Sequence, residues 1–240
     1  MNSQIITIGN TNFLAISLNQ LLTENQECFP GDPKITKEIF TDIQQTGYHH
    51  YIWHLSDHHF HPHADAPNHQ NPELQHQDLS HFDLSYQFNS ACLVDLSQSK
   101  EAETTNDFPF LTKIELHHLQ PHTTLLAQKG ALIIRTGYDH WLEANHPHQF
   151  KRIPYLTKEA GEFLTQFPNL KVIGIDSLTV DELRNHSVHQ LFKDKLIVES
   201  LVNLHQIPLK HHKDFNLQTS PLIIQGATGG PVIAFAFIKV

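Results

Sequence analysis

The sequence predicts an α/β protein, and three features carry that expectation. Short apolar runs recur along the chain, most of them β-branched. Gly, Pro, Asn or Asp residues bound most of these runs, as they bound strands. Segments with helical periodicity alternate with the runs after residue 130.

In chain order the expected strands are residues 51–53, 91–94, 131–134, 171–175, 196–198, 222–224 and 232–240. Most are short, which separates a buried strand from a buried helix when periodicity alone cannot. The clearest helix is 157–167. It opens on Thr157, a residue that caps helix starts, and sets Ala160, Phe163, Leu164 and Phe167 on one face before Pro168 stops it. A second helix is expected over 180–185, and a third from near Glu199 through Leu201, Val202 and Leu204. The polar stretches 61–81 and 98–108 read as long loops. Long loops in compact domains serve a function or are unstructured. The first carries histidines and carboxylates and is taken as functional; the second reads as a solvated excursion.

Composition narrows the function. With 240 residues the chain can bury a substantial core as one large domain or two small ones. A formal charge of −9 argues against nucleic-acid binding, which needs a basic footprint. Two cysteines, Cys28 and Cys92, are too few for a disulfide framework or a cysteine-based zinc site. Residues 1–10 show no secretory pattern, and no apolar run reaches the roughly 20 residues needed to span a bilayer. The expectation is a cytoplasmic protein with no membrane partner.

The 21 histidines are the outlying number. They also make chance His spacings frequent, so a site must contain more than histidine. The segment His59-Phe60-His61-Pro62-His63-Ala64-Asp65-Ala66-Pro67-Asn68-His69 does. In extended backbone, alternate residues share a face, which would align His59, His61, His63 and Asp65. Pro62 and Pro67 stiffen the segment. Imidazole and carboxylate donors together suit zinc or manganese better than calcium or copper(I). The bland alternative is a solvated His-rich loop with weak metal affinity; the Asp-Ala-Pro-x-His continuation is not explained by histidine excess.

This segment resembles the His-x-Gly-Thr-His-x-Asp-Ala-Pro-x-His signature of the cyclase-like metal hydrolases, which include bacterial kynurenine formamidase and isatin hydrolase. Further stretches follow in the family's order. Phe29-Pro30-Gly31-Asp32-Pro33 resembles its early Pro-Gly-Asp-Pro turn, and Arg135-Thr136-Gly137 its Arg-Thr-Gly. Val172-Ile173-Gly174-Ile175-Asp176-Ser177 is similar to its Val-Gly-Ile-Asp-Ser, and Ile197-Val198-Glu199-Ser200-Leu201-Val202-Asn203-Leu204 to its Ile-Val-Glu-Asn-Leu-x-Asn-Leu.

The resemblance implies one domain, residues 1–240, around a mixed, barrel-like sheet of the swivelling β/β/α type, in homodimers or tetramers. It implies His59, His63 and Asp65 as metal ligands and His69 as the catalytic histidine. His189 and Glu199 complete a second metal position, with one or two zinc or manganese ions in all. Phe29 stands where formamidases carry a substrate-contacting aromatic. The pattern departs in three places. His61-Pro62 replaces Gly-Thr, Ile233 replaces an arginine, and the spacing from His189 to Glu199 is shorter, which leaves His186 as a rival ligand.

By this reading, metal-activated hydroxide attacks an amide carbonyl and His69 carries the proton to the departing nitrogen. Glu199 reads either as a ligand or as an acid at a helix start, and Asp176 as a capping residue rather than a support for a ligand histidine. The implied reaction, on a small-molecule substrate, is arylformamidase-type: N-formylkynurenine to kynurenine and formate, a step of tryptophan catabolism. Alternatives are opening of a lactam or cyclic amide, and a non-catalytic His-rich metal-binding protein.

Overall fold

A strand whose successive side chains are all buried must be covered on both faces. That is the situation of Ala131–Arg135, where four consecutive residues are buried. The structure, a computed structural model, describes residues 3–24, 32–56, 62–99, 110–139 and 152–240. Its strands are β1 (Ser3–Ile8), β2 (Thr11–Ser17), β3 (Thr36–Thr41), β4 (His50–His54), β5 (His63–Asp65), β6 (Phe88–Asp95), β7 (Lys113–Ile114), β8 (Ala131–Arg135), β9 (Tyr155–Leu156), β10 (Val172–Ile175), β11 (Leu196–Glu199), β12 (Phe215–Pro221) and β13 (Gly229–Lys239).

Seven strands close into a barrel-like ring, β13-β12-β6-β8-β10-β11-β5, with β5 returning to pair with β13. The sheet is mixed: β6, β8, β10 and β11 run parallel, while β5, β12 and β13 pair antiparallel. Strands β1 and β2 extend the sheet from the far end of β13, and β3 with β4 forms a separate hairpin. This is the single α/β domain around a mixed, barrel-like sheet expected from the sequence.

Two cores lie on the two faces of the ring. All seven strands supply one, through Ala64, Leu93, Ile133, Val172, Val198, Leu217 and Ala234 among others. The alternate residues Cys92, Leu132, Ile173 and Ile197 form the other, against the helix Lys158–Thr165. Thr157 caps that helix by accepting from Ala160 N at 3.3 Å. Its Gly161 faces Val188 and Leu191, where an added Cβ would lie 3.3 and 3.1 Å from their side chains. Glycine costs a helix interior about 1 kcal/mol; here it admits the segment that carries His189.

Four local expectations are corrected. Residues 222–224 are not a strand, and the pairing strand is β12, whose burial alternates residue by residue. Only every second position of β12 is fully buried, so it lacks a continuous apolar run. Residues 180–185 are turns, because Asp181 binds backbone N–H groups further on and Arg184 has φ 65°. No helix starts at Glu199: it ends β11, and Ser200 and Asn203 take φ of 59° and 63°, outside the right-handed helical region. The stretch 61–81, read as loop, contains β5 and three short 3-10 turns, Pro67–His69, Pro72–Leu74 and Leu79–His81. Proline opens two of these turns, and Asn71 and Asp78 cap the second and third. Among the described residues no helix is long and apolar enough to cross a membrane.

Candidate metal centre

Strand register assembles the site. Glu199 pairs with His63 and Ile197 with Asp65, and directly paired residues share a face. Ala64 and Val198 turn into the barrel core, so His63, Asp65 and Glu199 stand together on the opposite face. On its other side β5 is held by Gly229, Gly230 and Pro231 of β13. A three-residue segment with two polar side chains, His63 and Asp65, thus forms a strand because both neighbours supply ladders.

The three side chains are buried, and one ligand atom from each lies within 4.8 Å of the others. His63 Nε2 is 3.5 Å from Asp65 Oδ1 and 3.5 Å from Glu199 Oε2. His189, in the turn His189–Leu191, joins them: its Nε2 is 2.9 Å from Asp65 Oδ2 and 3.4 Å from Glu199 Oε1. Its other nitrogen, Nδ1, donates to Asp181 Oδ2 at 2.6 Å. Asp181 also accepts from Val188 N at 2.7 Å and His189 N at 3.1 Å, which fixes both backbone and ring. Glu199 Oε1 accepts from Val180 N at 2.7 Å.

The electrostatics call for a cation. Burial and the facing Asp65 carboxylate push the Glu199 carboxyl up, while His63 and His189 act the other way. Burial disfavours a charged His189, but hydrogen bonds to Asp181 and Asp65 and the charge of Glu199 outweigh it and raise its pKa to about 10. Buried like charges need a compensating positive charge. A ring proton and a divalent ion answer the same demand. Imidazole and carboxylate donors together are a set that divalent ions take, so these residues fit a divalent ion.

A cavity of about 550 Å³ opens onto His63, Asp65, Glu199 and His69. His69 ends the turn after β5, and its ring lies edge-on to His189 with centroids 5.8 Å apart. Loop 178–186 and Gln70 form much of the wall. A site of this size takes a small organic molecule.

The structure therefore brings together His63, Asp65, His189 and Glu199, and sets His69 beside them. Of the two rival histidines, His189 is buried beside the cluster, whereas His186 is exposed and bonds Gln70 Oε1 at 2.7 Å. His59 and Phe29 lie outside the described residues. Among the described residues Asp176 bonds no histidine; it accepts from Thr136 N, Thr136 Oγ1 and Gly137 N and ties down the turn after β8. Tyr138 is core, and Tyr48 and Trp53 are exposed. The residue missed from sequence is Asp181. Its only signal was an acid among turn formers, in a stretch read as helix.

The family described as "Putative cyclase" matches residues 16–182, more than half of the chain. No curated protein matches the sequence. Among solved structures, the chain is similar to isatin hydrolase A from Labrenzia aggregata bound to benzyl benzoate, with TM-score 0.74, 17% identity and 94% of each chain covered. It is also similar to isatin hydrolase A from Ralstonia solanacearum, with TM-score 0.71, 15% identity and coverage of 94% of this chain and 92% of that one. A predicted metal-dependent hydrolase from Bacillus stearothermophilus aligns with TM-score 0.68 and 14% identity over 94% of this chain and 98% of that one. At these identities the likeness speaks for the fold, while the family match rests on the sequence itself. Both agree with the ordered motifs, and the chain belongs to the cyclase family.

Proposed function

We propose that the protein is a metal-dependent hydrolase of a small carbon–nitrogen amide bond, of arylformamidase type. The observation that carries this reading is the buried set of His63, Asp65, His189 and Glu199 opening with His69 onto one small-molecule cavity. Zinc or manganese, as one or two ions, is the cofactor it fits. When bound there, a divalent ion would lower the pKa of water toward roughly 7 and polarise a carbonyl oxygen.

The chain's own part follows from the geometry. His63, Asp65, His189 and Glu199 would hold the ion, and Asp181 keeps the His189 ring turned so that Nε2 faces the cluster. His69 is half-buried and lines the cavity, where it can take a proton from water and return it to nitrogen. Water adds to the amide carbon, the carbon–nitrogen bond breaks, and the nitrogen leaves with the proton as a neutral amine. With N-formylkynurenine the products are formate and kynurenine.

The test is turnover of N-formylkynurenine by zinc- or manganese-loaded protein, with a chelated sample and His69→Ala beside it. Metal-dependent turnover, lost in His69→Ala while metal content is unchanged, supports the reading. Equal rates in chelated and loaded protein would sink it. A second reading, opening of a cyclic amide, is favoured by the fold's likeness to isatin hydrolases. Isatin turnover exceeding formanilide turnover would select it.

A homo-oligomer is part of the proposal. The β3–β4 hairpin exposes Ile39, Phe40 and Trp53, and an isolated two-stranded hairpin is marginal in water. Sedimentation equilibrium of the full chain distinguishes a monomer from a dimer or tetramer.

A further inference from the structure

The loop between β10 and β11 holds an arginine in a conformation arginine rarely adopts. Asn185 N donates to Glu182 O at 2.8 Å, closing a four-residue turn. Arg184, the second central residue of that turn, has φ 65°. A positive φ at this position ordinarily selects Gly or Asn. The turn is nonetheless fixed from both sides. Asn185 Oδ1 accepts from Ser187 N at 3.1 Å, His186 bonds Gln70 Oε1 at 2.7 Å, and Gln190 Nε2 donates to Gln70 O at 3.2 Å.

Arg184 lines the same cavity as His63, Asp65 and Glu199. Among the described residues no carboxylate lies within ion-pair distance of it. The cavity is otherwise acidic, with Asp32 and Glu182 on its wall beside the ligand carboxylates. An exposed arginine whose backbone is held there at conformational cost, and whose guanidinium has no ion pair among the described residues, is suited to an anion that enters from solution. A guanidinium presents two parallel donors to a carboxylate, which an ammonium cannot do.

We infer that Arg184 is a specificity residue of this site and that the substrate bears a carboxylate, held by Arg184 while the scissile amide lies at the His63–Asp65–Glu199 cluster. The inference rests on the hydrolase reading above and narrows it to anionic amides. Arg184 takes no part in the bond-breaking step, so its contribution is to binding and orientation.

The experiment compares metal-loaded parent, Arg184→Ala and Arg184→Lys on formanilide and on 4-formamidobenzoate. The expected result is about a tenfold loss of kcat/KM for Arg184→Ala on 4-formamidobenzoate, carried by KM, with formanilide unchanged. Arg184→Lys should fall between. An equal loss on both compounds, or none on the carboxylate, overturns the inference. Calorimetric titration with benzoate and with benzyl alcohol separates this result from the choice of reaction. If neither formanilide is hydrolysed, about tenfold weaker benzoate binding in Arg184→Ala, with benzyl alcohol unchanged, upholds the anion site while the formamidase reading fails. Equal benzoate binding in parent and variant rejects the anion site whatever the reaction.

Discussion

Asp181→Asn isolates the contribution of one carboxylate to the metal centre. In the parent this group accepts from Val188 N at 2.7 Å, His189 N at 3.1 Å and His189 Nδ1 at 2.6 Å. An amide has one acceptor oxygen. If the oxygen faces His189, both His189 bonds survive and the amide NH₂ meets the Val188 N–H. The opposite orientation sets NH₂ against two His189 donors and is worse. The better arrangement leaves one buried N–H unsatisfied, a loss of about 1–3 kcal/mol in stability. It also replaces a charge-assisted bond at Nδ1 by a neutral one of roughly half the strength. The ring then holds its orientation less firmly and Nε2 is a weaker donor, so affinity for zinc should fall about 10- to 100-fold. Chelator competition gives the affinity, and urea unfolding of the metal-free protein gives the stability. A zinc affinity within about twofold of the parent, with stability still reduced, would show Asp181 to be a brace for the 188–189 backbone alone.

Three further outcomes follow from the fold. Gly174→Ala puts a Cβ 2.5 Å from Ile133 Cδ1 and 2.8 Å from Leu201 Cδ1 inside the barrel. Overpacking exceeds the gain from a stiffer unfolded chain, so a net loss of about 1–2 kcal/mol is expected in denaturant unfolding. At Asp95 burial works to raise the carboxyl pKa, but hydrogen bonds from Ser97 and the Arg135 guanidinium at 2.7 Å outweigh it and hold it below its usual value. A depressed carboxylate stabilises the fold above its unfolded pKa and loses that effect as pH falls through the folded one. The difference between parent and Asp95→Asn should therefore be about 1 kcal/mol at neutral pH and shrink in acid, as melting scans across pH will read. Burial pushes the Cys92 thiol up to about 12, against the nearby Lys129 charge. Alkylation at pH 8 should spare Cys92 in native protein and label it in urea, by peptide mapping.

The parts of this structure legible in the sequence are those where one physical demand dominates. At 131–134 burial on both faces leaves only apolar residues, so the strand announces itself. Thr157 and the face formed by Ala160 and Leu164 do the same for the helix. Strand β5 is the opposite case. Of its three residues, only Ala64 faces the core, because the other two positions carry the chemistry. A strand so short exists only through ladders from β11 and β13, which no local pattern can report. For the same reason the centre was legible as chemistry before it was legible as structure. His63 and Asp65 stood out by spacing and resemblance, whereas their alignment with Glu199 is a matter of cross-strand register. Asp181 and Arg184 stayed hidden on a further ground. Each depends on the path of loop 176–191, where short-range side-chain bonds to backbone replace helix, and such bonds compete with helix without leaving a period. The consequence for this family member is specific. His63, Asp65 and Glu199 sit on the rigid ring, while His189 and one wall of the cavity sit on loop 176–191, held by polar bonds. Substitutions at 182–186, beyond Asp181, should therefore change which amide is accepted more readily than they change whether a metal is bound.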